Sequence, residues 1–376
     1  MKLALVRQKY TPFGGAERFV ERALAALRGQ GADVTIIARD WQGEPGGGFL
    51  RCDPFFIGRT WRDAGFARCV RRIIDAKRFD LVQSHERIPG CHIFRAGDGV
   101  HATWLALRDQ ARGGAARLAT ALSPWHRYTL AAEAAMFSHP NLRAVICNSR
   151  LVRDDIARRF GVADERLHVI YNGVDLDHFH PGLRQEHRGT VRAALGIAEA
   201  TPVILFVGSG FERKGIPALL QALARMTRRD ALLLVVGRDS RQRDMATLAG
   251  RLGVTGRVRF LGGQRDVRPY YGAADCFALP TLYDPMPNAA LEALACGLPV
   301  VTSTTSGAAE LIRHGANGHV CPATDVAVLA NHLDALTGPE RLEPLAVRAT
   351  VTGFGIDTMA ARLADLYGRL APTAPL

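Results

Sequence analysis

Two consecutive α/β domains, each a doubly wound parallel sheet of the Rossmann-like kind, are what this sequence predicts. Three observations carry that expectation. Short apolar runs alternate with helix-period segments along both halves of the chain. The length of 376 residues exceeds one common-sized domain and suits two of roughly 150–200 residues each. The stretch DCFALPTLYDPMPNAALEALACGLPVV, residues 275–301, reads as strand, turn, helix and strand at the length of one βαβ crossover.

Taken in order, residues 3–6 form a short apolar strand and 16–27 a helix with apolar periodicity. Residues 34–37, 81–82 and 144–147 are further strands, 150–160 an amphipathic helix, and 167–170 the strand that closes the first set. The second half repeats the theme with strands at 203–207, 232–236, 258–261, 276–279 and 298–301, separated by helical patterns. Residues 181–201, PGLRQEHRGTVRAALGIAEAT, are polar and strandless, so the linker is expected there. The domains are then 1–180 and 181–376, with the last helix packing back on the first, and the tail APTAPL is expected to be disordered.

Composition narrows the function. Hydrophobic residues make up 48%, ample for two cores, and the net charge of +12 calls for an acidic partner. The surplus is concentrated in residues 1–180, which hold 27 Lys/Arg against 19 Asp/Glu. Lysine occurs only at 2, 9, 77 and 214, and arginine is the better fork for phosphate. No aromatic-basic RNA motif, zinc finger or helix-turn-helix pattern is present, so nucleic acid is not the expected partner. No apolar run approaches the ~20 residues of a membrane span, and Arg7 and Lys9 interrupt any secretory segment after five residues. Seven cysteines, an odd number without a C-x-x-C pair, read as reduced buried thiols of a cytosolic protein and argue against zinc.

The 275–301 crossover carries the chemistry. Its turn lies where a strand's C-terminal end meets a helix start near Asn288, the place where open α/β sheets bind ligands. The helix N-terminus favours an anion such as a diphosphate. Asp284 in the turn and Glu292 in the first turns of the helix suit neutral hydroxyls, because an ionised carboxylate accepts from O–H donors. Phosphate plus hydroxyls describes a nucleotide sugar. Gly14 and Gly15 follow the first strand and open the first helix, so backbone there can approach a ligand closely. Arg213 and Lys214, in FVGSGFERKG, stand between a strand and a helix, placed to neutralise a leaving diphosphate without magnesium. Asp98 sits between turn-forming glycines in RAGDGVHATW, with His101 three residues on. Glu310, in SGAAE, reads most simply as a surface helical residue.

These blocks resemble the family 4 retaining glycosyltransferases. The resemblance runs over essentially the whole chain, from RQKYTPFGGAERF through FERKG to PNAALEALACGLPVV, and points to the lipopolysaccharide core, glucosyltransferase I branch. It implies a GT-B fold, two Rossmann-like domains facing across a cleft. It assigns Glu292 to the nucleotide ribose and Asp284 to the transferred sugar, although that family carries Glu at the position of Asp284. It places Gly14 and Gly15 under the diphosphate, Arg213 and Lys214 on the donor phosphates, and Asp98 facing the acceptor and reacting centre. The Asn172-Gly173-Val174-Asp175 turn resembles the family's interdomain crossover, and Glu310 a position near the base. The implied reaction moves a hexose, with UDP-glucose as donor, to a lipopolysaccharide core or other lipid-linked saccharide, with retention and no cofactor or metal.

Two other readings keep parts of this pattern. A phosphorylase or non-hydrolysing sugar-nucleotide epimerase shares the fold, and a non-catalytic basic membrane- or nucleic-acid-binding protein shares the charge. Residues 51–79 carry eight basic and three acidic side chains interleaved with Phe55, Phe56, Ile57 and Trp61. Residues 101–130 add Trp104, Arg108, Arg112, Arg117, Trp125, Arg127 and Tyr128, and this second segment is expected to form an exposed flap on an anionic membrane. The enzyme is therefore expected in the cytoplasm, peripheral on the inner face of the cytoplasmic membrane.

Overall fold

Fully buried apolar runs are the mark of strands covered on both faces, and they set the frame of both halves. The structure, a computed structural model, describes residues 1–10, 31–41, 48–113, 118 and 120–371. The helix expected at 16–27, with Gly14 and Gly15, lies outside the described residues, as do residues 372–376 of the tail. By contacts the chain forms two units, residues 1–172 with 356–376, and residues 173–355.

The first unit contains β1 (Lys2–Val6), β2 (Lys9–Tyr10), β3 (Asp33–Ala38), β4 (Asp40–Trp41), β5 (Gly48–Arg51), α1 (Gly58–Ala76), β6 (Leu81–Ser84) and β7 (Ile93–Arg95). It continues through α2 (His101–Arg112), α3 (Pro124–Phe137), β8 (Ala144–Cys147), α4 (Arg150–Phe160) and β9 (Leu167–Val169). Seven strands form one sheet in the order β5-β3-β1-β6-β7-β8-β9, every pairing parallel. Helix α4 shows the local logic. The Ser149 hydroxyl caps its start by accepting the Val152 N–H, and Gly161 ends it in the left-handed region.

The second unit contains α5 (Leu183–Ala194), β10 (Val203–Val207), α6 (Ile216–Arg225), β11 (Leu232–Val236), α7 (Gln242–Arg251), β12 (Val258–Gly262) and α8 (Arg268–Ala273). It is completed by β13 (Cys276–Leu279), α9 (Asn288–Ala295), β14 (Val300–Ser303), β15 (Gly318–Cys321), α10 (Val326–Leu336) and α11 (Pro344–Ala349). Its sheet is also all parallel, in the order β12-β11-β10-β13-β14-β15. The terminal helix α12 (Ile356–Leu370) belongs to the first unit, where Met359, Leu363, Leu366 and Tyr367 join the core of Leu3, Leu5, Ile36 and Leu81.

Three expectations need correction. The strand placed at 298–301 is Val300–Ser303, because α9 runs to Ala295, Gly297 turns the chain with positive φ, and Leu298 still donates its N–H to the Ala293 carbonyl. The linker expected at 181–201, and with it the division at 180, is misplaced. The chain passes between units at Asn172/Gly173 and again at Gly355/Ile356, and residues 183–194 are helix α5. That helix reads as polar because its arginines are polar, yet they turn inward onto buried Asp275. Arg192 approaches Asp275 at 2.8 Å, Arg188 at 3.1 Å and Arg184 at 3.3 Å, with Arg341 from beyond α10. Burial alone would raise the Asp275 pKa, but the hydrogen bond from Arg341 and the charges of Arg188 and Arg192 hold it below the usual carboxylate range. Gly272 in α8 makes this crossing feasible, since a Cβ there would overlap the Leu183 carbonyl.

The third correction concerns the thiols. Cys52 and Cys69 are joined in a disulfide, their Cα atoms 6.0 Å apart, while the other five cysteines are free and buried. Parity could not reveal this pair, because it depends on α1 packing Phe66 and Cys69 against Cys52, the residue after β5.

Candidate active site at the sheet switch points

Ligands of open parallel sheets lie outside the C-terminal strand ends, where the strand order reverses. In the second unit the reversal falls between β10 and β13. The loop after β10 carries Arg213 and Lys214, and the loop after β13 carries Asp284. They are tied together through backbone. The Arg213 carbonyl accepts the Leu282 N–H at 2.8 Å and the Thr281 hydroxyl at 3.0 Å. Gly215, at φ +88°, closes the approach, since a Cβ there would overlap the Pro280 carbonyl.

This arrangement brings Lys214 Nζ to 3.5 Å from Asp284 Oδ2, with both side chains largely buried. Asp284 is fixed on its other side: its N–H donates to Thr305 at 3.2 Å and its carbonyl accepts from Gly307 at 2.9 Å. Half-buried Asn288 opens α9 after Pro287, which has no side-chain acceptor to cap the helix. Glu292 follows one turn later and so shares a helix face with Asn288. The Tyr271 hydroxyl donates its one proton to Glu292 Oε2 at 2.9 Å, with the Ala289 carbonyl an alternative acceptor at 3.1 Å. Burial, then the Glu292 charge, pushes the Tyr271 phenol well above its ordinary pKa, so it remains a donor. Arg213 is half-buried at the same strand end, and Glu310 is exposed in a short helical turn.

In the first unit the order reverses between β1 and β6. There the Gln8 N–H donates to Glu86 Oε1 at 3.0 Å. Burial raises the Glu86 pKa, the Gln8 N–H opposes it, and the charge of Asp98 raises it further. Asp98 is therefore near Glu86, in an exposed turn after β7. His85 is kept neutral by burial and by Arg7 and Arg95. His101 is buried edge-on to Trp125 at 5.3 Å, its Nε2 3.0 Å from His126 Nδ1. Burial, then Arg87, His126 and Arg108, bring its pKa down to about 3. Glu133 accepts the His101 and Ala102 N–H groups at 2.9 and 3.2 Å and pairs with Arg87 at 2.9 Å, so it caps α2 from α3. Asn172 accepts from Arg95 at 3.1 Å.

The family model described as Glycosyltransferase Family 4 matches residues 13–178, and that described as Glycosyl transferases group 1 matches residues 201–338. The chain belongs to the family 4 glycosyltransferases. Over 317 residues it is 28% identical to the lipopolysaccharide glucosyltransferase WaaG of Escherichia coli (strain K12), covering 83% of each chain. Over 242 residues it is 32% identical to the D-inositol 3-phosphate glycosyltransferase of Xylanimonas cellulosilytica, covering 62% of this chain and 58% of that one. The crystal structure of WaaG, a glycosyltransferase involved in lipopolysaccharide biosynthesis, superposes with a TM-score of 0.82 at 26% identity, over 97% of this chain and 99% of that one. Two parallel α/β domains of the GT-B kind are thus the fold of this glycosyltransferase.

Sequence reasoning missed three groups at its switch points. Tyr271, in VRPYYGAAD, carries no pattern linking it to Glu292. Glu133 lies mid-helix, far along the chain from the helix start it caps. Glu86 had a usable signal, a carboxylate in QSHERIPG directly after a strand, where βα loops present functional groups.

Among the described residues no helix is long and apolar enough to cross a membrane. The two basic-aromatic segments differ in exposure. Phe55, Ile57 and Trp61 are 75%, 70% and 47% exposed. Arg51, Arg59, Arg68, Arg71 and Arg72 are exposed in the same segment. In the second segment Trp104, Trp125 and Tyr128 are half-buried, Trp125 donating to Asp63 at 2.8 Å. Arg108 is engaged by Asp109 and Thr120, Arg112 and Arg127 are exposed, and Arg117 lies outside the described residues. The apolar exposure there belongs to Leu118 and Leu122.

Proposed function

We propose that this glycosyltransferase moves a hexose from a nucleotide-diphosphate sugar, with UDP-glucose the leading donor, to a lipopolysaccharide core or other lipid-linked saccharide. The observation that carries this reading is the Lys214–Asp284 pair at the β10/β13 switch point, beside a helix start that bears a tyrosine-anchored Glu292. The relation to WaaG supports the lipopolysaccharide acceptor. In this reading the donor diphosphate lies between Arg213, Lys214 and the α9 N-terminus at Asn288; the Gly14–Gly15 turn that the family resemblance assigns to the diphosphate lies outside the described residues. Asp284 accepts from hydroxyls of the transferred sugar, and Glu292 from those of the ribose.

The bond to the diphosphate loosens first, and the acceptor hydroxyl attacks the same face, so configuration is retained. A leaving phosphate oxygen takes the hydroxyl's proton, while Arg213 and Lys214 stabilise the charge that grows on it. Asp98 faces the acceptor. Two carboxylates across one bond would be needed for double displacement, and Glu292 is committed to the ribose. The cations at 213 and 214 take the place of a divalent metal, and no cofactor is required. The enzyme works peripherally on the inner face of the cytoplasmic membrane. The exposed aromatics and arginines of 51–72 rest on anionic lipid, where each cation contributes ~1 kcal/mol.

The test is a thermal-shift panel of nucleotide sugars followed by radiolabel transfer with EDTA present. Label moving from UDP-glucose into a lipid-linked saccharide, with an α-linkage by NMR, is the expected result. Free sugar phosphate, an epimerised nucleotide sugar, or turnover lost in EDTA and restored only by manganese or magnesium would overturn it.

A further inference from the structure

A second cluster of chemistry-bearing side chains lies on the outer edge of the second sheet. β15 is the edge strand, paired only with β14 within that sheet, and His319 is its second residue. His314 precedes it and forms a single parallel bridge with Gly318. His332 lies in α10, which packs on β15. The His319 and His332 rings stack at 4.4 Å with 2° between planes, and the His314 ring meets His319 edge-on at 4.3 Å. One ring nitrogen from each lies within 4.8 Å of the others, and His319 Nδ1 is 3.2 Å from His314 Nε2.

The His314–His319 pair already has the spacing of two ligands on one ion, and a turn of the stacked His332 ring about its side-chain torsions brings the third nitrogen onto the same point. Two imidazoles bound tetrahedrally at zinc–nitrogen distances of ~2.0–2.1 Å hold their nitrogens about 3.3 Å apart. An all-imidazole donor set selects borderline divalent ions rather than magnesium or calcium, which take oxygen ligands. We propose that His314, His319 and His332 bind one zinc-class divalent ion, with water in the fourth position. The ion cross-links the edge strand, the turn before it and the helix that covers both.

Its role is structural. In the parallel register His319 stands opposite Val301, on the N-terminal side of the strand ends whose loops carry Lys214 and Asp284. The ion therefore takes no part in sugar transfer, and a chelator lowers stability without stopping turnover. Edge strands are the weak margin of an open sheet, and three ligands from three segments anchor this one.

Chelator-stripped full-length protein titrated with zinc(II), and separately with cobalt(II), decides the matter. One equivalent should bind, with four-coordinate cobalt bands and no thiolate charge-transfer band. A hundredfold excess of zinc over its Kd should raise Tm by about 5–10 °C. His319→Gln and His332→Gln should each weaken binding by on the order of 100-fold or more and abolish that rise. Exposed His314→Gln supplies a variant whose folding is not at issue, and it should behave alike. Stoichiometric binding that survives in His314→Gln and His319→Gln would overturn the assignment. So would a thiolate band pointing to the five free cysteines, or no binding in the wild type tighter than in these variants.

Discussion

The two switch points use opposite electrostatics. In the second unit a cation and a carboxylate, Lys214 and Asp284, meet in a site otherwise shaped by backbone, and Glu292 is held by a neutral phenol. In the first unit the groups at the strand ends are pushed toward neutrality: Glu86 upward by burial, His85 and His101 downward. A site of fixed charges suits a ligand that always carries charge, such as a diphosphate. A site whose buried titratable groups are shifted toward their neutral forms suits a neutral polyol. On the proposed function, donor and acceptor recognition rest on different physics, and each half of the comparison can be tested.

The largest expected effect is on the scaffold of the charged half. Asp275→Ala leaves Arg188 and Arg192 buried without their carboxylate, and breaking such a pair costs about 3–5 kcal/mol. A fall in Tm of roughly 10 °C should appear in calorimetry; an unchanged Tm would remove the arginine cluster from the account of α5.

Next comes the charged site itself. Lys214→Ala and Glu292→Ala should each lose ~2–4 kcal/mol of transition-state stabilisation, roughly 30- to 1000-fold in kcat/KM, with circular dichroism unchanged. Near-wild-type turnover in either variant takes that residue out of the site. A smaller change probes the anchor: Tyr271→Phe removes one hydrogen bond, worth ~1 kcal/mol. The loss of several-fold should fall on the donor KM rather than on kcat. Equal losses for donor and acceptor would instead mark a general packing defect.

The neutral half is tested by pH. Burial raises the native Glu86 pKa above the ordinary 4.5, so the folded state holds a proton that the unfolded chain releases. Its contribution to stability is therefore fully present below that ordinary value and is lost as pH rises through the raised one. Glu86→Gln keeps the acceptor for the Gln8 N–H and removes this decline. The Tm of wild type minus that of Glu86→Gln should fall as pH rises from the ordinary carboxylate value through the raised one and level off above it, and a difference flat over the whole range would show that the Glu86 pKa is not raised.

The smallest effect concerns the surface. Phe55→Ser with Ile57→Ser should reduce co-sedimentation with anionic vesicles about threefold to tenfold while leaving turnover on a soluble acceptor unchanged. Equal recovery on neutral vesicles would count against the patch. Loss on replacing Leu118 and Leu122 instead would move the contact to the second segment.

Legibility followed the same division. Strands of the second unit were readable nearly to the residue, β10, β11 and β13 at their full bounds, because uninterrupted apolar runs between turn residues have no other stable use. The Arg213–Lys214 and Asp284–Glu292 blocks were visible because each occupies one βα loop, where local sequence sets position. In the first unit β5 and β7 went unread: GFLR and IFR are too short, and too interrupted by charge, to show a period. Glu133 and Tyr271 were invisible because their partners are distant in sequence.

By itself, then, the sequence determined two parallel α/β domains, the family, and the loops that carry cations and carboxylates. These depend on local hydrophobic period and on turn chemistry. Only the tertiary structure decided that α5 is a helix clamped on Asp275, that Cys52 joins Cys69, and that three histidines from separate segments converge at β15. The physical reason is common to all three. In each case the partner that gives a side chain its role comes from another segment of the chain, so the local pattern that marks strands, helices and turns carries no trace of it.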